Sequence, residues 1–132
     1  MSSILQKQIG IGKGNILVTN TETLAAYTGR CEVTLPTVRS IIKCWVMFQT
    51  GAAATGVVFR VRRGNGIAGP IVGSDTPTIL YPAGTVAQFT FIIAESLQDS
   101  EYVDYSLTLT QMGAAGNGTL SLSSIEVEVI NG

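Results

Sequence analysis

Apolar residues in this chain recur at every second position, and nowhere at every third or fourth over a useful length, which confines it to extended strands. The clearest instance is Gly56 to Gly73, GVVFRVRRGNGIAGPIVG. Val57, Phe59 and Val61 alternate with Val58, Arg60 and Arg62, so one side of the segment is apolar and the other ends in guanidinium groups. Gly64, Asn65 and Gly66 tolerate the positive φ of a tight hairpin, and Ile67 to Val72 reads as its second strand.

The same period marks Leu24 to Leu35, where Tyr27, Cys31, Val33 and Leu35 share a side until Pro36, which has no amide hydrogen to give a ladder. It also marks Tyr102 to Gln111, with Val103, Tyr105, Leu107 and Leu109 opposite Asp104, Ser106, Thr108 and Thr110. Ile79 to Tyr81 is a short strand stopped by Pro82 and Gly84. Two segments are apolar on both sides. Val38 to Gln49 sets Ile42, Cys44, Val46 and Phe48 against Ile41, Trp45 and Met47, and Val86 to Ala94 sets Phe89, Phe91 and Ile93 against Val86, Ile92 and Ala94. In the last strand Leu120 and Leu122 share one phase while Ile125, Val127 and Val129 share the other, so a β-bulge is expected at Ser123 and Ser124.

The count of about eight strands, separated by turn residues, predicts an all-β chain: an antiparallel β-sandwich of jelly-roll type. Residues 23–132 form this domain. Residues 1–22, with Gly10, Gly12 and Gly14 breaking up Ile4, Leu5, Ile9, Ile11, Ile16 and Leu17, read as an extended N-terminal arm that docks on its own sandwich or on a neighbouring subunit.

Composition asks what covers so much apolar surface. Of 132 residues only 13% are charged, against about 25% in an ordinary soluble domain, and the mean hydropathy is +0.36. No run approaches the ~18 consecutive apolar residues of a spanning helix, and no secretory leader is read at MSSILQKQIGIGKGN. Burial against other protein subunits is the expectation that remains. All eight basic residues precede position 64, accompanied by two acids, and the seven acids after it have no basic neighbour in sequence. The bases are spread over several strands rather than clustered, which argues against nucleic acid and for basic strands facing acidic ones within a subunit or across an interface.

The chemistry-bearing residues are few. There is no histidine; Cys31 and Cys44 read as two buried thiols, close enough in the strand plan for a disulfide to be conceivable but too few for a zinc site. Gly64-Asn65-Gly66-Ile67-Ala68-Gly69 matches GxGxxG, yet Pro70 and a strand follow where a dinucleotide site needs a helix. Asn117-Gly118-Thr119 reads as a turn. Asp99, Glu101 and Asp104 are the one acidic cluster and lack the glycine turn of a calcium loop. Trp45, Tyr81, Tyr102 and Tyr105 read as core and interface rather than as a sugar platform. No catalytic residue, metal ligand or cofactor is assigned.

The doubly apolar strand, FRVRRGNGIAGPIVG, PAGTVAQFTFII, an acidic loop, YVDYSLTLTQMGAAGNGT and a closing strand together resemble the small jelly-roll domains of tailed-phage virions. The resemblance spans about residues 38 to 130, and rests on glycine turns and strand patterns rather than on catalytic signatures. Such sandwiches occur in capsid decoration (cement) proteins, tail-fibre heads and baseplate parts. The resemblance implies a non-enzymatic virion component, assembled in the host cytoplasm, homotrimeric, bound to the major capsid protein or another virion protein, with no nucleic-acid or membrane partner. The resemblance transfers no residue-level site; the two strands that are apolar on both sides make Ile41, Trp45, Met47, Phe89, Phe91 and Ile93 the expected oligomer interface. Ile4, Leu5, Ile9, Ile11, Arg60, Arg62 and Arg63 are the expected capsid contacts. The alternative is a receptor- or carbohydrate-binding head of a tail fibre or baseplate.

Overall fold

A computed structural model describes residues 3–33, 37–51, 55–73, 79–98, 102–112 and 118–131. The strands are β1 (Ser3–Ile11), β2 (Ile16–Leu17), β3 (Thr23–Tyr27), β4 (Cys31–Glu32), β5 (Thr37–Gln49), β6 (Thr55–Arg63), β7 (Ile79–Tyr81), β8 (Val86–Gln98), β9 (Tyr102–Val103), β10 (Tyr105–Met112) and β11 (Thr119–Asn131). Eight of them make two layers, ordered β1-β11-β5-β8 and β3-β10-β6-β7, with β2 beside β11 and a separate β4-β9 pair. Every pairing is antiparallel. The pairs β1·β11, β3·β10, β5·β8 and β6·β7 are nested, so the chain is one long hairpin wound into a sandwich, which is the jelly roll.

The core lies where the alternating residues of the two layers meet. Ile42, Cys44, Val46 and Phe48 from β5 and Leu120, Ile125, Val127 and Val129 from β11 face Val57, Phe59 and Val61 from β6 and Tyr105, Leu107 and Leu109 from β10, all at most 2% exposed. At β1 the backbone comes close to that of β3 in the other layer. A Cβ on Gly10 would stand 1.6 Å from the Tyr27 carbonyl oxygen, and one on Gly12 2.3 Å from that of Ala25, so only glycine lets β1 pass there. The expected arm therefore docks on its own sandwich, as an edge strand paired with β11 from Ser3 to Ile11.

Four local expectations are corrected. The expected strand from Leu24 to Leu35 divides into β3 and β4 at Gly29, which takes φ 78°, and the one from Tyr102 divides at Asp104. The two breaks belong together: Cys31 and Glu32 pair with Val103 and Tyr102, while the Thr28 amide donates to the Tyr105 carbonyl at the corner. The return limb after Gly66 is no strand. Residues 64–70 form a loop over β10, held by the Gly66 amide on Ser106 Oγ and by Ser106 Oγ donating to the Gly64 carbonyl, and only Ile71 bridges back, to Arg62. In β11 the register shift falls between Leu120 and Leu122, two residues before the expected serines, so Leu120 is buried and Leu122 points outward, 46% exposed. Residues 34–36, 52–54, 74–78, 99–101 and 113–117, including Leu35, Pro36, Asp99, Glu101 and Asn117, lie outside the described residues.

Candidate assembly face

β5 and β8 run side by side in register from Thr37↔Gln98 to Gln49↔Val86, so each residue on one shares a face with its partner on the other. Ile42, Cys44, Val46 and Phe48 point into the core, and with them go Ile93, Phe91, Phe89 and Ala87. Phe89 stacks on Phe59 at 5.7 Å and lies 5.5 Å from Phe91. The expected interface set is thus divided: Ile41, Trp45 and Met47 share the outer face, while Phe89, Phe91 and Ile93 belong to the inner one. Their outer-face counterparts on β8 are Val86, Gln88, Thr90, Ile92 and Ala94. The sequence held both phases of β8, and only pairing with β5 shows which one is outside.

The same register extends the outer face across β11 and β1. Leu122 lies beside Met47, Ser124 beside Trp45 and Ile11, Glu126 beside Lys43 and Ile9, and Glu128 beside Ile41 and Lys7. Ile9, Ile11, Leu17, Leu122, Val86 and Ile92 are exposed there, Ile11 at 81%, and Ile41, Trp45 and Met47 are half-buried. Two of the expected capsid contacts, Ile9 and Ile11, therefore join the outer face. The side chains of Ile4 and Leu5 lie outside the described residues.

Four charges sit within this apolar field. Lys7 Nζ lies 3.6 Å from Glu126 and 3.9 Å from Glu128, and Lys43 Nζ lies 4.0 and 3.4 Å from the same two carboxylates. The early bases and late acids thus meet within one subunit.

The arginines expected at a capsid are engaged internally. Arg62 forks onto both oxygens of Glu22 at 2.6 and 2.8 Å and donates to the Gly69 carbonyl, and Arg60 reaches Thr110 Oγ1 at 3.0 Å and Glu22 at 3.6 Å. The Arg62 hydrogen bonds hold the Glu22 carboxyl below the usual carboxylate range. Arg63 forks onto Glu95 at 2.9 Å.

Two clefts open elsewhere. One of about 290 Å³ lies where β1 leaves the sheet, lined by Ile11, Gly12, Lys13, Ile16 and Leu24 to Tyr27. The other, about 200 Å³, is lined by Arg63, Tyr102, Val103 and Asp104. Asp104 accepts from the Tyr27 hydroxyl at 2.6 Å, and burial together with that bond pushes Tyr27 up to about 12. The Arg30 guanidinium sits 4.1 Å from the centre of the Tyr102 ring. The aromatics do not converge: Trp45 is on the outer face, Tyr81 meets Phe48 edge-on at 4.8 Å, and Tyr105 is fully buried. Among the described residues no group of three or more His, Cys, Asp or Glu is placed to hold a metal ion, and Cys31 and Cys44 are free, buried thiols.

The Eiger TNF of S. frugiperda has a similar structure, with a TM-score of 0.53 over 96% of this chain and 92% of that one at 12% identity. The two share a fold. A protein of infectious bursal disease virus, Gx strain, aligns at a TM-score of 0.49 and 11% identity, over 97% of this chain and 36% of that one. No protein-family model matches the sequence, and no curated protein matches it.

Proposed function

We propose that this chain is a non-enzymatic structural domain that works as a homo-oligomer, a homotrimer, joined through the outer face of β1-β11-β5-β8, and that it decorates and stabilises a tailed-phage capsid. The observation that carries the assembly half is that face itself: nine apolar side chains, from Ile11 and Ile9 across Trp45 and Met47 to Ile92 and Val86, lie half-buried or exposed on one layer of an isolated subunit. Covering apolar area contributes roughly 25 cal/mol per Å². The virion half rests on the resemblance of residues 38 to 130 to phage jelly-roll domains. The work is mechanical: contact area added around capsid junctions opposes outward pressure.

Imaging of an assembled phage particle tests it. This reading places trimers on the capsid shell, and a particle without such density refutes it. A second reading, a receptor- or carbohydrate-binding head, draws support from the exposed Tyr102 ring beside Arg63 and Asp104 in the smaller cleft. It would put the same density at a fibre tip and give measurable glycan binding lost in Tyr102→Ala.

A further inference from the structure

We propose that the Lys7, Lys43, Glu126 and Glu128 quartet makes self-association through the outer face depend on pH, the copies holding together while Glu128 is ionised and separating when it takes up a proton. The inference rests on the self-association reading above.

The quartet spans three strands. Glu126 and Glu128 stand two positions apart on β11, with Lys7 on one side from β1 and Lys43 on the other from β5, every ammonium within 4.0 Å of both carboxylates. The row through Glu126 runs Ile9, Glu126, Lys43, Ile92, and the row through Glu128 runs Lys7, Glu128, Ile41, Ala94, so apolar side chains flank the charges. The lysine side chains are 46% and 45% exposed in the single subunit. Wet ion pairs of this kind contribute little. Covered by a partner, the same pairs lose their water, and a charge stripped of its counter-ion then becomes costly.

The occupant the face fits is a second copy of this chain. Within the quartet two positive and two negative groups cancel, which suits a surface carrying the same balanced pattern. Four strands about 4.8 Å apart, over some nine residues of about 3.3 Å each, present on the order of 600 Å² in plan, approaching the ~800 Å² each partner contributes to a standard interface.

The direction of the pH effect follows from the surroundings. A hydrogen bond with Glu126, followed by Lys43 and Lys7, holds Glu128 below its ordinary 4.5. A lowered carboxylate contributes fully above its free value and loses that contribution as pH falls through the lowered one, so the loss belongs below pH 4.5. Arg39 of β5, beside Ile130 of β11, adds only positive charge to this face. On β8 the outer residues Val86, Gln88, Thr90, Ile92 and Ala94 carry no titratable group, and Glu95 points the other way, to Arg63 and Tyr105. Protonating Glu128 therefore leaves the two ammonium ions in excess of negative charge in a dry interface.

The test is the mass of the purified full chain by light scattering between about pH 7 and pH 3.5, with circular dichroism recorded in parallel. Three proteins are compared: the wild type, Glu126→Gln with Glu128→Gln, and a variant carrying Lys7→Met, Lys43→Met, Glu126→Leu and Glu128→Leu. The wild type is expected to dissociate below pH 4.5 with its sheet signal intact, the double amide to associate at least about tenfold more weakly at pH 7, and the uncharged variant to stay assembled throughout. A wild type that stays assembled at the acid end, or an uncharged variant that dissociates along the same curve, overturns the inference and leaves self-association standing. A wild type that is monomeric at pH 7 overturns both.

Discussion

The Tyr105 hydroxyl on β10 lies 2.9 Å from Glu95 Oε1 on β8 and 2.8 Å from Ser40 Oγ on β5, so one phenol ties the two layers together. A phenol has a single hydrogen, which serves the carboxylate, while Ser40 supplies its own to the phenol oxygen. Tyr105 is fully buried, and that burial raises its pKa. Tyr105→Phe removes the tie without emptying the core and leaves Ser40 short of an acceptor. The expected loss in urea unfolding is about 1–3 kcal/mol at an unchanged denaturant slope.

Glu22 is the counter-charge that lets Arg60 and Arg62 lie on the outer face of the second layer. It also accepts from Thr108 Oγ1 at 2.6 Å. Glu22→Gln is expected to cost about 1.5–3 kcal/mol at neutral pH. Because its neighbours hold Glu22 below 4.5, that contribution is complete above this value and fades as pH falls through the lowered one. Urea midpoints of the two proteins should therefore converge in acid; a gap that persists there would mean that the ionised carboxylate is not the source.

Gly10→Ala places a methyl group 1.6 Å from the Tyr27 carbonyl oxygen, where backbone rather than a flexible side chain must yield. It is expected to push β1 off β3, to cost about 1–3 kcal/mol as overpacking does and to abolish amide protection along Gln6 to Ile11. Gly14→Ala meets only the Ser121 carbonyl oxygen at 3.2 Å and should retain that protection.

These cases show what a one-dimensional reading reaches. Alternation at Val57 to Val61 and Leu107 to Leu109 is set by burial of one face and is legible directly, and the sandwich followed from it. What depends on a partner strand was not legible. The outward phase of β8 is fixed by Cys44 opposite Phe91, the breaks at Gly29 and Asp104 by a change of partner, and the Leu120/Leu122 shift by β5. The arginines at 60, 62 and 63 looked available because Glu22 and Glu95 are remote from them in sequence. Glu126 and Glu128, absent from the expected site, were marked in the sequence by two acids within an apolar strand.

Burial raises the pKa of both thiols, which disfavours the reactive thiolate. Neither Cys31 nor Cys44 should react with a disulfide reagent such as Ellman's in the native chain at pH 8, and both should react in denaturant. Prompt labelling of one thiol without denaturant would show that its strand opens.

Ile92 is 61% exposed in the outward phase of β8, opposite the one that packs on the core, so replacing it tests the face without testing the fold. Light scattering of the purified chain at neutral pH, beside its Ile92→Lys variant, should give the mass of three chains for the first and of one for the second, with unfolding free energies of the single subunit within about 0.5 kcal/mol. A wild type that runs as one chain, or a variant that keeps the wild-type mass, would contradict the account.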